Sequence, residues 1–190
     1  MASESPPLNA FRNLRITMQR RNFLLALGMS AVAPLATAVE ITTPVESLSD
    51  RPPMPDFQLT DLDGKVYRPE DFRGRVLIVN FWATWCPPCR AEMPSMERML
   101  ENFKDAPLAL IAIAMGQTEK QVREFAAENP HSFPLLPDPD GKVSEAFGVT
   151  GLPTTFVVDG GGNMVFRAEG GRQWDSERLL RTISLVLPKS

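Results

Sequence analysis

Residues 75–83, RVLIVNFWA, form a near-continuous apolar run, and the pair Cys86-Pro87-Pro88-Cys89 follows within three residues. The run is too short for a helix and rich in β-branched and aromatic residues, so it predicts a buried central strand. From Pro87 to Lys104 the chain carries helix formers, with Met93, Met96, Met99, Leu100 and Phe103 recurring at a period near 3.6. A strand therefore delivers two cysteines to the start of a helix. Pro94 is expected to kink that helix.

The same alternation continues downstream. LALIAIAM, residues 108–115, is a second buried strand, and Glu119 to Asn129 is a helix with Val122, Phe125 and Ala126 inward. This order favours parallel pairing of the two central strands through a right-handed crossover. A short element near 133–136 and a small helix near 143–147 follow. TTFVVD and NMVFRAE then flank Gly160-Gly161-Gly162 as an antiparallel hairpin. Residues 175–187 close the chain as an amphipathic helix with Leu179, Leu180, Ile183 and Val186 on one face. Upstream, two short alternating runs around Asp63-Gly64 signal another hairpin. The fold class is α/β, one domain over 54–188, and no internal repeat is present.

The first 38 residues read differently. Arg20-Arg21 precedes the run FLLALGMSAVAPLATA, which ends on Ala36-Thr37-Ala38, an export signal with cleavage expected after Ala38. The arginine pair followed by Asn22, Phe23 and Leu24 looks like a twin-arginine signal, with the Sec route still open. Left uncleaved, the segment would be an inner-membrane anchor, but residues 23–38 are interrupted by Pro34 and fall short of the ~20 residues that a spanning helix needs. Met18 is an alternative start. Residues 39–53, rich in Thr, Ser and Pro, are expected to be a linker. Without residues 1–38 the chain carries 16 basic and 22 acidic residues, a net charge of −6, which disfavours nucleic acid as a partner.

The chain has two cysteines and one histidine. No other cysteine can form a structural disulfide or complete a zinc site, and haem attachment would need His where Arg90 stands. In an oxidising compartment the pair is left for redox work. With Cys86 at the N-cap, its sulfur faces the free N–H groups and the positive end of the helix, which favour thiolate and make it the nucleophile. Cys89, one turn further on, is the resolving thiol. Pro87 suits the first helical position, whereas Pro88 removes an N–H that would otherwise cap the sulfur. A less stabilised thiolate makes a better reductant, so the direction expected is electron donation.

VNFWATWCPPCRAEMPSM, with Pro94 five residues past Cys89, together with FGVTGLPTTFVVD, resembles the thioredoxin superfamily, in particular its TlpA/ResA/CcmG-like branch. The likeness runs from about Pro55 to Leu187. It implies a thioredoxin fold, a central mixed β-sheet flanked by helices, with an N-terminal β-hairpin and a central helical insertion between Gly116 and Phe147. It also implies that Pro153 is cis and sits against the Cys86–Cys89 disulfide, with Leu152 offering its backbone to an extended substrate. From the residues alone an ordinary trans proline stays open, since only about 5–6% of X–Pro bonds in folded proteins are cis. Glu92 stands where this branch carries an acidic residue that assists proton transfer at the thiols, and on a helix it shares the face of Cys89. Asn80 departs from the buried Asp of thioredoxin, which moves proton handling to Glu92. By strand alternation Trp82 belongs to the core, while Trp85 borders the redox surface with Pro87 and Pro88. Trp174 reads as packing and His131 as a surface loop residue.

The function implied is reduction of disulfides in exported, periplasmic client proteins, with cytochrome c maturation or copper-centre assembly as candidate settings. A membrane thiol-reductant carrier would supply electrons. No cofactor beyond the redox-active disulfide, no metal and a monomeric state are expected. Two alternatives stand beside it. A peroxiredoxin-like peroxidase would need a Pro-x-x-x-Thr-x-x-Cys setting, and Val79 occupies the place of the proline. A copper-binding metallochaperone module would need a further soft ligand near the pair, for which Met93 is the candidate.

Overall fold

The computed structural model describes residues 45–188; the expected export signal and residues 39–44 lie outside them. A six-stranded mixed sheet is built in the order β1 (Glu46–Ser47), β8 (Met164–Glu169), β7 (Thr154–Val158), β4 (Val76–Trp82), β5 (Leu108–Met115) and β6 (Leu135–Asp138). Its centre is β4, paired in parallel with β5 and antiparallel with β7. β6 continues the parallel side, and β8 pairs antiparallel with β7. A separate two-stranded hairpin joins β2 (Leu59–Thr60) to β3 (Val66–Tyr67), with a single 3-10 turn after it at Pro69–Phe72. The helices are α1 (Pro87–Asn102), α2 (Glu119–Glu128), α3 (Lys142–Ala146) and α4 (Glu177–Ser184). The expected helical insertion thus contains a strand as well, β6 between α2 and α3.

Every residue of β4 is buried, as its apolar run requires, and alternation divides its side chains between two cores. Val76, Ile78 and Trp82 pack with Met93, Met96 and Met99 of α1, Val122 of α2, and Leu179 and Ile183 of α4. Leu77, Val79 and Phe81 pack on the other face with Phe57, Tyr67, Phe72 and Phe147. Each such side chain contributes roughly 1.5–3 kcal/mol on leaving water. Asn80, the one polar residue of β4, faces α1 by the same alternation. The helix α1 runs on through Pro94.

Residues 39–53 are not all linker. Glu46–Ser47 form β1, paired with Arg167 and Phe166 at the β8 edge, and the chain beyond follows that edge through Leu48 N–H to Val165 O (2.9 Å), Met164 N–H to Pro52 O (2.9 Å) and Met54 N–H to Gly162 O (2.9 Å). A strand of two residues has no periodicity to read. Its stability comes from backbone groups that would otherwise leave the β8 edge unpaired. The domain therefore starts before residue 54.

Candidate active site

The turn after β4 is pinned before the cysteines begin. Gln117, 2% exposed, accepts from Thr84 N–H at 2.7 Å and donates to Thr84 Oγ1 at 2.8 Å. This ties the chain ahead of the pair to the end of β5. Cys86 then occupies the N-cap of α1 in extended conformation, with Pro87 and Pro88 as the first two helical residues. Neither proline has an N–H, so one amide reaches the sulfur: Cys89 N–H donates to Cys86 Sγ at 3.4 Å. Cys86 and Cys89 form a disulfide with Cα atoms 5.4 Å apart. Both are buried, Cys89 completely.

Beside the pair lies an open groove of about 550 Å³, lined by Trp85, Cys86, Pro87, Pro88, Met115 and Leu152, with the backbone of Gly116 and Gly151. Trp85 is 71% exposed, and an exposed indole next to a redox sulfur is apolar surface available to a partner. The Leu152–Pro153 bond is cis. The β4–β7 register starts at Thr154, so Leu152 lies outside the ladder and on the groove. Behind the groove, Gly171 lets the chain after β8 come close to the motif. A Cβ there would stand 3.1 Å from Pro88 O and 3.2 Å from Pro88 Cβ.

Glu92, one turn after Cys89 on α1, is only 2% exposed. Asn80 Nδ2 donates to its Oε1 at 2.9 Å, while Trp174 Nε1 (3.1 Å) and the Arg172 N–H (3.2 Å) donate to Oε2. Burial pushes its pKa up to about 7, against those three donors and the buried Arg172 guanidinium, all of which favour the carboxylate. The outcome is a carboxyl poised to gain or lose a proton near neutrality beside a thiol pair.

The structure thus gathers Trp85, Cys86, Pro87, Pro88, Cys89, Glu92, Leu152 and Pro153 around one end of β4. It adds residues that the sequence did not single out for the site: Gly171, Arg172 and Thr155, whose Oγ1 accepts from Asn80 Nδ2 at 2.9 Å. Trp174 is fully buried packing, as read, but it also donates to Glu92. Those partners lie 80 and 82 residues from Glu92 along the chain, and no local pattern encodes such a pairing. Met93, the candidate soft ligand, is buried in the core with Met96 and Met99. His131 is not a surface residue: its side chain is 9% exposed and stacks between Phe125 (6.0 Å between centroids) and Phe133 (5.0 Å). The bend between Pro130 and Pro134 folds the ring back onto aromatic neighbours, and burial lowers its pKa against the opposing pull of Glu97. Among the described residues no three His, Cys, Asp or Glu side chains gather as a metal site, and no helix is long and apolar enough to cross a membrane.

The chain is similar to known proteins in sequence and in fold. The profile of the AhpC/TSA family matches residues 51–167. The thiol-disulfide oxidoreductase ResA of Bacillus subtilis is 32% identical over 151 residues, 77% of this chain and 84% of the relative. ResA of Bacillus thuringiensis subsp. konkukian is 34% identical over 134 residues, 70% of this chain and 76% of the relative. Among solved structures, a putative thiol:disulfide interchange protein DsbE from Chlorobium tepidum superimposes with a TM-score of 0.66 at 32% identity, covering 71% of this chain and 95% of the other. With the fold, the cysteine pair and these relatives in agreement, the chain belongs to the thioredoxin-fold AhpC/TSA family, among the ResA-like members, and is a thiol-disulfide oxidoreductase.

Proposed function

We propose that this protein reduces disulfides in exported, periplasmic client proteins, with cytochrome c maturation or copper-centre assembly as the settings. The Cys86 thiolate attacks a client disulfide, forming a mixed disulfide and releasing one client sulfur as thiolate. Cys89 passes its proton to the Glu92 carboxylate and attacks Cys86 Sγ. The Cys86–Cys89 disulfide forms, the second client sulfur leaves, and two electrons have moved to the client. The electrons travel on the two sulfurs, so no further cofactor takes part. A dithiol carrier in the membrane restores the reduced pair, and residues 1–38 provide export.

The observation that carries the direction is the cap on Cys86. Its sulfur is met by one helix N–H at 3.4 Å, because Pro88 has none. Each such hydrogen bond is worth about 1 kcal/mol, and a thiolate with fewer of them is a stronger electron donor. The groove beside Trp85 and Leu152 is the place for an extended client segment, bound through its backbone at Leu152.

Equilibration of the protein with glutathione or dithiothreitol buffers, with Cys86→Ser as the control, tests this. A potential below roughly −220 mV, towards that of thioredoxin, is expected. A value near −120 mV, that of DsbA, would make the protein an oxidant and sink the proposed direction.

A further inference from the structure

The two oxygens of Glu92 are held differently. Oε2 accepts from the backbone N–H of Arg172 and the indole N–H of Trp174, groups that can only donate. A proton arriving on the carboxyl therefore cannot rest on Oε2 without facing two donors. Oε1 accepts from Asn80 Nδ2 at 2.9 Å. The same Nδ2 donates to Thr155 Oγ1 at 2.9 Å, while Asn80 Oδ1 is buried with no hydrogen-bond partner among the described residues. A carboxamide can present either a donor or an acceptor on one side, and a hydroxyl can do both. Asn80, with Thr155 behind it, is thus the contact of Glu92 that can reverse polarity.

We infer that Asn80 is a positioning residue whose carboxamide turns over when Glu92 takes up a proton, with the Thr155 hydroxyl reversing at the same time. In the carboxylate state Nδ2 donates to both Oε1 and Thr155 Oγ1. In the protonated state the proton sits on Oε1 and is donated to Asn80 Oδ1, which also accepts from Thr155 Oγ1–H. Oε2 keeps its two donors throughout. The orphaned Oδ1 is the cost of holding the carboxylate; after turnover Oδ1 has two donors, and Nδ2 takes its place as the buried group without a partner, so the turnover follows only when the proton on Oε1 needs an acceptor. This rests on Glu92 as acceptor of the Cys89 proton. The groups facing it are Asn80 of β4 and Arg172 and Trp174 of the segment after β8, with Thr155 of β7 behind Asn80; Arg172 is the charged one.

The test is nuclear magnetic resonance on the reduced, isotope-labelled protein between about pH 5 and 9, a range that spans an ordinary and a raised carboxyl. The Glu92 ¹³Cδ shift reports its proton, and cross-peaks from the Asn80 Nδ2 protons to the Thr155 methyl report the carboxamide. The expected result is that these cross-peaks lose intensity below the Glu92 midpoint. Cross-peaks that stay constant while Glu92 titrates overturn the turnover and leave Glu92 as proton acceptor. If Glu92 shows no titration, its role as acceptor falls, and the inference with it. Asn80→Leu is the second variant: it strips Oε1 of its donor and leaves the two on Oε2, which costs the charged form more than the neutral one, so the Glu92 midpoint moves to higher pH, and an unmoved midpoint overturns the positioning role.

Discussion

Replacing Glu92 by glutamine changes how stability depends on pH, and the size of the change follows from the site. Burial raises the carboxyl from 4.5 to about 7, so between those values the native protein holds a proton that the unfolded chain has released. Wherever the native state binds more protons, stability falls as pH rises. At about 1.4 kcal/mol per pH unit, the loss over this window is about 3 kcal/mol, complete above the folded-state value. The carboxamide of the variant keeps the shape and has no proton to lose. His131 titrates with the opposite sign, since its burial lowers its pKa, but it is common to both proteins and cancels in the difference. Urea unfolding of the oxidised wild type and Glu92→Gln at a series of pH values measures that difference directly. The difference between the two curves is constant below about pH 4.5 and has moved in favour of the variant by about 3 kcal/mol at pH 8. Parallel curves would show that Glu92 titrates like a solvated carboxyl, and the account of the site would fail.

Other substitutions test the surroundings. Gly171→Ala places a Cβ 3.1 Å from Pro88 O and pushes the Arg172 N–H away from Glu92; a loss of about 1–3 kcal/mol is expected, and an unchanged melting temperature would show that the segment yields freely. Asp138, 1% exposed, accepts from Ser144 N–H (2.9 Å), Ser144 Oγ (2.7 Å) and Val143 N–H (3.3 Å). Asp138→Ala orphans the start of α3 and is expected to cost about 1–3 kcal/mol in urea unfolding, with Asp138→Asn losing less; equal loss in the two would refute the capping account. Trp85→Ala is expected to leave stability within about 0.5 kcal/mol, because the ring is exposed, yet to slow reduction of a disulfide peptide. An unchanged rate would remove Trp85 from the client surface.

The chain by itself determined the elements whose signals are local. An apolar run of strand length fixes β4, a 3.6-residue period fixes α1, and their junction puts Cys86 at a helix start with two prolines behind it, all within one uninterrupted stretch of chain. The antiparallel β7–β8 hairpin follows in the same way from two alternating runs around three glycines. What only the tertiary structure decided is whatever joins distant residues. β1 exists because β8 has an open edge, not because Glu46 and Ser47 prefer a strand. The His131 side chain is largely covered because Phe125 and Phe133 close on it, although its Pro-rich neighbourhood reads as a surface loop. Glu92 was visible as a helix residue on the face of Cys89. Its proton affinity was not, because that depends on desolvation by the packed sheet and on donors from β4 and from the segment after β8. Periodicity records which face of an element is apolar; the partners of a polar group buried on that face are set by sheet order, which brings Asn80, Arg172 and Trp174 to one carboxyl and Thr155 to Asn80.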